Sequence, residues 1–266
     1  MEKRSQPGPV TWVGIIIIAM VVVGIIAHFK RTVPVEQPLV QPVVNTAPVD
    51  TAGTGTLDNA FNQLSDATNK ITVSIYNDTP GQTQAQFLGS GIIIASQNVL
   101  TNAHIVNNAN NLFVYIFAPQ PASYPVILAR SDPVNDLALL KITNNARFSS
   151  AALIGNSDRA VVGETVFTMG NAFGNGNMLT QGLLLDKNFA YNVNGQVRTN
   201  MRTNIGISPG TCGGPLINTR GQIIGINNSI GNPENNYIAT PINKALTLID
   251  NNFQNQLALT PNAQNV

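Results

Sequence analysis

Pro209-Gly210-Thr211-Cys212-Gly213-Gly214-Pro215 sets the chain's only cysteine in a glycine-rich turn. Glycines on both sides let the backbone turn tightly and bring its N–H groups toward one point. Such a turn can form an oxyanion hole. Acyl transfer places negative charge on the former carbonyl oxygen, and one aimed donor lowers that barrier by about 3–4 kcal/mol. The candidate hole is Gly210, Thr211 and Cys212, with the Gly210 and Cys212 N–H groups as donors. Taken alone, the segment reads equally well as a small buried cysteine filling a turn between strands.

The partners of the thiol decide between these readings. A thiol needs a nearby base to become the attacking thiolate. The chain has two histidines, and His28 lies in an apolar run near the N-terminus. His104 is therefore the candidate base, in Val99-Leu100-Thr101-Asn102-Ala103-His104-Ile105-Val106, where an apolar strand gives way to small and polar residues. Without the cysteine segment it would read as a surface histidine at a strand end. A third group should hold the imidazole tautomer. Asp136, opening Asp136-Leu137-Ala138-Leu139-Leu140-Lys141-Ile142, is placed for that role, whereas Asp132, directly before Pro133, is better explained as a turn residue.

Composition narrows the class of function. Fourteen Lys and Arg against thirteen Asp and Glu leave a formal charge of +1, which offers no field to attract nucleic acid. One cysteine excludes an intramolecular disulfide, and no metal-ligand spacing is present, so neither metal nor cofactor is proposed. Beyond residue 70 the apolar segments are short, β-branched and bounded by Gly, Asn or Pro. They include ITVSIY, FLGSGIIIA, NLFVYIF, YPVILA, DLALLKI, ETVFTMG, GLLLD, QVRTNM and GQIIGIN, at least nine strands of an all-β, antiparallel protein. A short helical pattern at Leu57, Ala60, Phe61 and Leu64 opens the folded part, residues 57–255. A second, from Pro241 to Phe253, closes it, and 256–266 form a polar tail.

Residues 1–9 precede Val10–Phe29, twenty residues without a formal charge, enough at about 1.5 Å per residue to span a hydrocarbon core of about 30 Å. The run is too long for the apolar part of a signal peptide and ends in His28-Phe29-Lys30-Arg31, so it reads as an uncleaved transmembrane helix. Basic residues flank both ends and leave its orientation open. Residues 30–56, with Pro34, Pro38, Pro42 and Pro48, read as an extended spacer.

The order His, Asp, nucleophile, carried on Thr101-Asn102-Ala103-His104, Asn135-Asp136-Leu137-Ala138-Leu139-Leu140 and Gly210-Thr211-Cys212-Gly213-Gly214, resembles the trypsin-like protease domain of the HtrA/DegP family. Leu88-Gly89-Ser90-Gly91, Gly163-Glu164-Thr165-Val166 with Gly170-Asn171-Ala172-Phe173-Gly174, and Gly221-Gln222-Ile223-Ile224-Gly225-Ile226-Asn227 resemble further motifs of that family, and the likeness covers roughly 60–250. It implies a chymotrypsin/trypsin-like double β-barrel, barrel 1 at about 70–145 and barrel 2 at about 155–240, with the site between them. It also implies polypeptide substrates, homotrimers, and attachment to the inner membrane through residues 10–29 with the protease domain in the periplasm.

Two features depart from the family. Cys212 stands where the family ordinarily has serine, an arrangement similar to that of viral chymotrypsin-like cysteine proteases. No segment is expected to form the family's PDZ domain, and loop 186–199 lacks a counterpart of its GR turn. In this family Ile205, Ile207, Ile238 and Thr240 would border the pocket for the residue before the scissile bond, which implies a small or medium aliphatic residue there. The second reading is a catalytically impaired scaffold that binds peptides or protein partners.

Overall fold

The computed structural model describes residues 54–174, 176–193, 195–206, 210–228 and 237–249. The apolar run 10–29, most of the spacer and the polar tail lie outside them. Among the described residues, no helix is long and apolar enough to cross a membrane. The first element is helix α1, Thr54–Asn69, which begins three residues ahead of Leu57.

Six strands follow: β1 (Thr72–Asn77), β2 (Gln86–Ala95), β3 (Asn98–Thr101), β4 (Leu112–Ile116), β5 (Ala122–Asp132) and β6 (Leu137–Ile142). They close into a barrel in the order β1-β2-β3-β6-β5-β4. Helix α2, Ala103–Val106, is a single turn directly after β3. Beyond the short β7 (Leu153–Ile154) come β8 (Thr165–Asn171), β9 (Asn177–Val193), β10 (Gln196–Thr203), β11 (Pro215–Asn218), β12 (Gln222–Asn228) and β13 (Tyr237–Pro241). Their antiparallel pairings run β11-β8-β9-β10-β13-β12 and return to β11, a second closed ring, while β7 lies parallel to β12. Helix α3, Ile242–Ala245, follows.

The run Ile92-Ile93-Ile94 shows why the strands read as continuous apolar stretches. All three residues are at most 1% exposed. Successive side chains of a strand point to opposite faces. Ile93 joins the first barrel's core with Val73, Val114 and Leu140. Ile92 and Ile94 join a second cluster that takes Leu137 from the first barrel and Phe167, Ile217, Ile226 and Ile242 from the second half. A third cluster, with Val166, Leu184, Met201 and Ile224, fills the second barrel. Each buried isoleucine contributes about 1.5–3 kcal/mol, so a strand buried on both faces cements its own barrel and the contact between barrels together.

Two expectations are corrected. The segment 186–199 is not a loop: β9 continues to Val193 and pairs with β10 from Gln196, making a hairpin with Val193 opposite Gln196. The closing helix is also shorter than Pro241–Phe253. Only Ile242–Ala245 is helical, residues 246–248 are turn, and residues beyond 249 lie outside the described set. Ile242, Ala245, Leu248 and Ile249 still face the inter-barrel cluster, so the apolar spacing reflects this packing without a continuous helix.

Candidate active site

β3 and β6 are neighbours, with Thr101 opposite Ala138. Their ends bring His104, at the start of α2, beside Asp136, in the turn before β6. The His104 backbone N–H donates to Asp136 Oδ1 at 2.9 Å, and ring Nδ1 lies 2.7 Å from Oδ2. An ionised carboxylate can only accept, so Nδ1 is the donor and the other ring nitrogen is left for the nucleophile. Asp136 is 3% exposed and has φ of 55°, a left-handed conformation that costs an L-residue about 1–2 kcal/mol. Asn102 Nδ2 holds that turn by donating to the Asp136 carbonyl at 3.1 Å. Asp132 does the turn work expected of it: Oδ1 accepts from the N–H groups of Val134 and Asn135, both at 3.1 Å.

Cys212 comes from the second half of the chain, yet its side chain, 8% exposed, packs in the first barrel's cluster. Its turn is pinned there by Ser90 of β2. The Ser90 N–H donates to the Cys212 carbonyl at 2.9 Å. Ser90 Oγ donates to the Gly210 carbonyl at 2.7 Å and accepts from the Asn171 N–H at 3.1 Å. Gly214 N–H donates to the Thr211 carbonyl at 3.1 Å. In a trans peptide the N–H points opposite to its C=O. Anchoring the carbonyls of Gly210 and Thr211 therefore sets the directions of the Thr211 and Cys212 N–H groups. Pro209, whose carbonyl sets that of Gly210, lies outside the described residues. Gly213 is required where it stands: its φ is +82°, and a Cβ there would collide with the Ser90 carbonyl and the Thr101 hydroxyl.

The His104 ring joins the two parts. Burial disfavours its charged form, but hydrogen bonds to Asp136 and to Cys212, together with the electrostatic pull of both, outweigh the burial and push its pKa up to about 9. The ring remains 30% exposed, so a reacting group can reach it. The arrangement can take a proton from the sulfur, hold it as imidazolium and return it to a leaving group.

One member of the site escaped the sequence reading. Asn228, at the end of β12, donates from Nδ2 to Asp136 Oδ2 at 3.0 Å. The carboxylate thus receives three N–H donors, two from His104 and one from across the barrel interface. The only sequence signal was an asparagine directly after Gly221–Asn227. Thr240 lies nearby: its hydroxyl donates to the Asn135 carbonyl and accepts from Asn228 Nδ2, both at 3.4 Å. Ile238 shares the face of β13 that carries Thr240 and is fully buried. Ile205 packs in the second barrel's core, 2% exposed, and offers no pocket surface. Ile207 lies outside the described residues. Among the described residues, no group of three or more His, Cys, Asp and Glu could hold a metal ion.

Two closed β-rings thus carry the site, with an acid–histidine pair on one and a cysteine turn folded onto it from the other. The chain belongs to the family described as trypsin-like peptidase domain, whose model matches residues 89–226, more than half of its length. A DegP-like periplasmic serine endoprotease of Pseudomonas putida is 35% identical over 150 residues, 56% of this chain and 30% of that protein. That name specifies serine, where this chain has Cys212. The chain spans about a third of the length of the curated relatives it matches. Among solved structures, the HtrA-type protease AlgW with a decapeptide superposes with a TM-score of 0.59 at 25% identity, over 70% of this chain and 64% of that one. The protease domain of MamO from Magnetospirillum magneticum, at TM-score 0.61, 22% identity, and 69% and 98% coverage, shares the fold.

Proposed function

We propose that this protein is an HtrA-like endopeptidase that cleaves extended polypeptide segments through a His104–Asp136–Cys212 triad. The observation that carries the reading is the His104 ring bonded to Asp136 on one side and to Cys212 on the other. The Cys212 sulfur, its proton transferred to His104, attacks the scissile carbonyl carbon, and the carbonyl π electrons move to oxygen. The Gly210-Thr211-Cys212 turn supplies backbone N–H groups to that oxyanion. Collapse breaks the C–N bond as His104 gives its proton to the leaving amine, leaving a thioester on Cys212. Water, deprotonated by His104, then attacks the thioester, and the peptide carboxylate departs as the thiol is restored. Asp136 holds the ring tautomer throughout, and Asn228 and Asn102 hold Asp136.

Residues 10–29 anchor the chain in the inner membrane, and the folded part works in the periplasm. The apolar length of that run and the periplasmic description of the Pseudomonas putida relative support this placement.

The test is a peptide probe carrying a thiol-reactive group at the position of the scissile carbonyl. Labelling confined to Cys212, and lost at least a hundredfold in His104→Ala, is the expected result. A labelling rate indifferent to His104→Ala sinks the triad and leaves a peptide-binding scaffold.

A further inference from the structure

Beside the turn that carries Asp136, β10 and α3 frame a cavity of about 230 Å³, lined by Val134, Asn135, Val197, Arg198, Asn200 and Lys244. Its two cations have only neutral partners. Arg198 donates from one Nη to the Pro133 carbonyl at 3.3 Å, and its buried Nε–H has no hydrogen-bond partner among the described residues. Lys244 Nζ donates to the Thr199 carbonyl and, at 3.5 Å, to Asn200 Oδ1. Among the described residues neither cation lies within 4 Å of a carboxylate. Asp132 acts on Lys244 from a distance, and its oxygens already accept from the Val134 and Asn135 N–H groups and Asn135 Nδ2.

Two like charges around one cavity favour a bound anion. The Lys244 pKa is lowered first by burial and then by the Arg198 charge, so each cation is felt by the other. The rim is of a different kind. Val134 and Val197 are 70% and 73% exposed, two branched hydrocarbons beside a cationic floor. A planar guanidinium with donors to spare matches a carboxylate, and the valines match an aliphatic body.

We propose that this cavity is a binding site for an aliphatic carboxylate, its head on Arg198 and Lys244 and its hydrocarbon on Val134 and Val197. The carboxylate is either a free short-chain acid or the end of a polypeptide. This site goes beyond the peptidase reading and does not depend on it.

The experiment is calorimetric titration of the full chain in detergent with 3-methylbutanoate and with its uncharged amide. Two further titrants are a short peptide ending in free valine and the same peptide amidated. The expected result is saturable binding of the acids, with each amide at least about tenfold weaker. Arg198→Gln and Lys244→Met should each weaken the acid about tenfold, with Lys244→Arg close to the wild type. Unchanged urea midpoints exclude misfolding as the cause. Tighter binding of the free peptide than of 3-methylbutanoate assigns the site to chain ends, and the reverse assigns it to the small acid. The proposal is overturned if acids and amides bind alike, if none binds, or if Arg198→Gln and Lys244→Met bind as the wild type does. Calorimetry needs no turnover, so an inert Cys212 leaves this test intact.

Discussion

At the scale of single residues, the choice of sulfur changes what His104 must do. A hydroxyl has to be deprotonated as it attacks, so a serine enzyme needs a neutral imidazole. A thiol can give up its proton beforehand, and the imidazolium is then the form that serves the leaving amine. With the His104 pKa near 9, cleavage by the wild type should fall as pH rises through about 9. Cys212→Ser removes the sulfur's share in holding that proton, so His104 becomes neutral at lower pH and the variant's residual activity should rise with pH over a range below about 9. Parallel pH profiles for the two proteins would defeat the paired-charge mechanism. His104, Asp136 and Cys212 were legible as candidates because they stand in an order with recognisable neighbours. Asn228 was not, since a donor 92 positions from Asp136 shows only once two barrels have met.

Among the elements, β2 carries the most exacting duty. Its Ser90 uses backbone and side chain together to hold the cysteine turn. Ser90→Ala leaves the half-buried Gly210 carbonyl and the buried Asn171 N–H without that partner, which costs about 1–3 kcal/mol. The expected outcome is a lower urea midpoint with slower labelling of Cys212; fast labelling in a folded variant would show that the turn holds itself. Gly213→Ala should yield no folded protein, whereas Gly81→Ala, also at positive φ but with nothing within 4 Å, should lose only about 1 kcal/mol. Strands buried on both faces were readable from composition. Of the β9–β10 hairpin only GLLLD and QVRTNM read as strands; the arm between them reads as a loop, although Phe189, Tyr191 and Val193 alternate with other residues ahead of Asn194-Gly195. β7, two residues long, is too short to leave a pattern.

For the molecule as a whole, the site is also a source of stability. The His104 pKa is about 9 when folded against 6.5 unfolded, so its protonation stabilises the fold fully below pH 6.5. That contribution fades as pH rises through about 9. The urea midpoint should therefore drop across this interval in the wild type and stay flatter in His104→Gln; equal slopes would place the proton elsewhere. The double-barrel plan followed from the sequence of motifs, but the inter-barrel cluster did not, since alternate isoleucines of one strand serve different cores. The Ser90 clasp has a consequence for synthesis. His104 and Asp136 leave the ribosome with a complete first barrel, long before Cys212 emerges. A chain that stops short of residue 212 therefore carries the acid–histidine pair alone, and the sulfur meets its imidazole only when the later strands have closed around their predecessors.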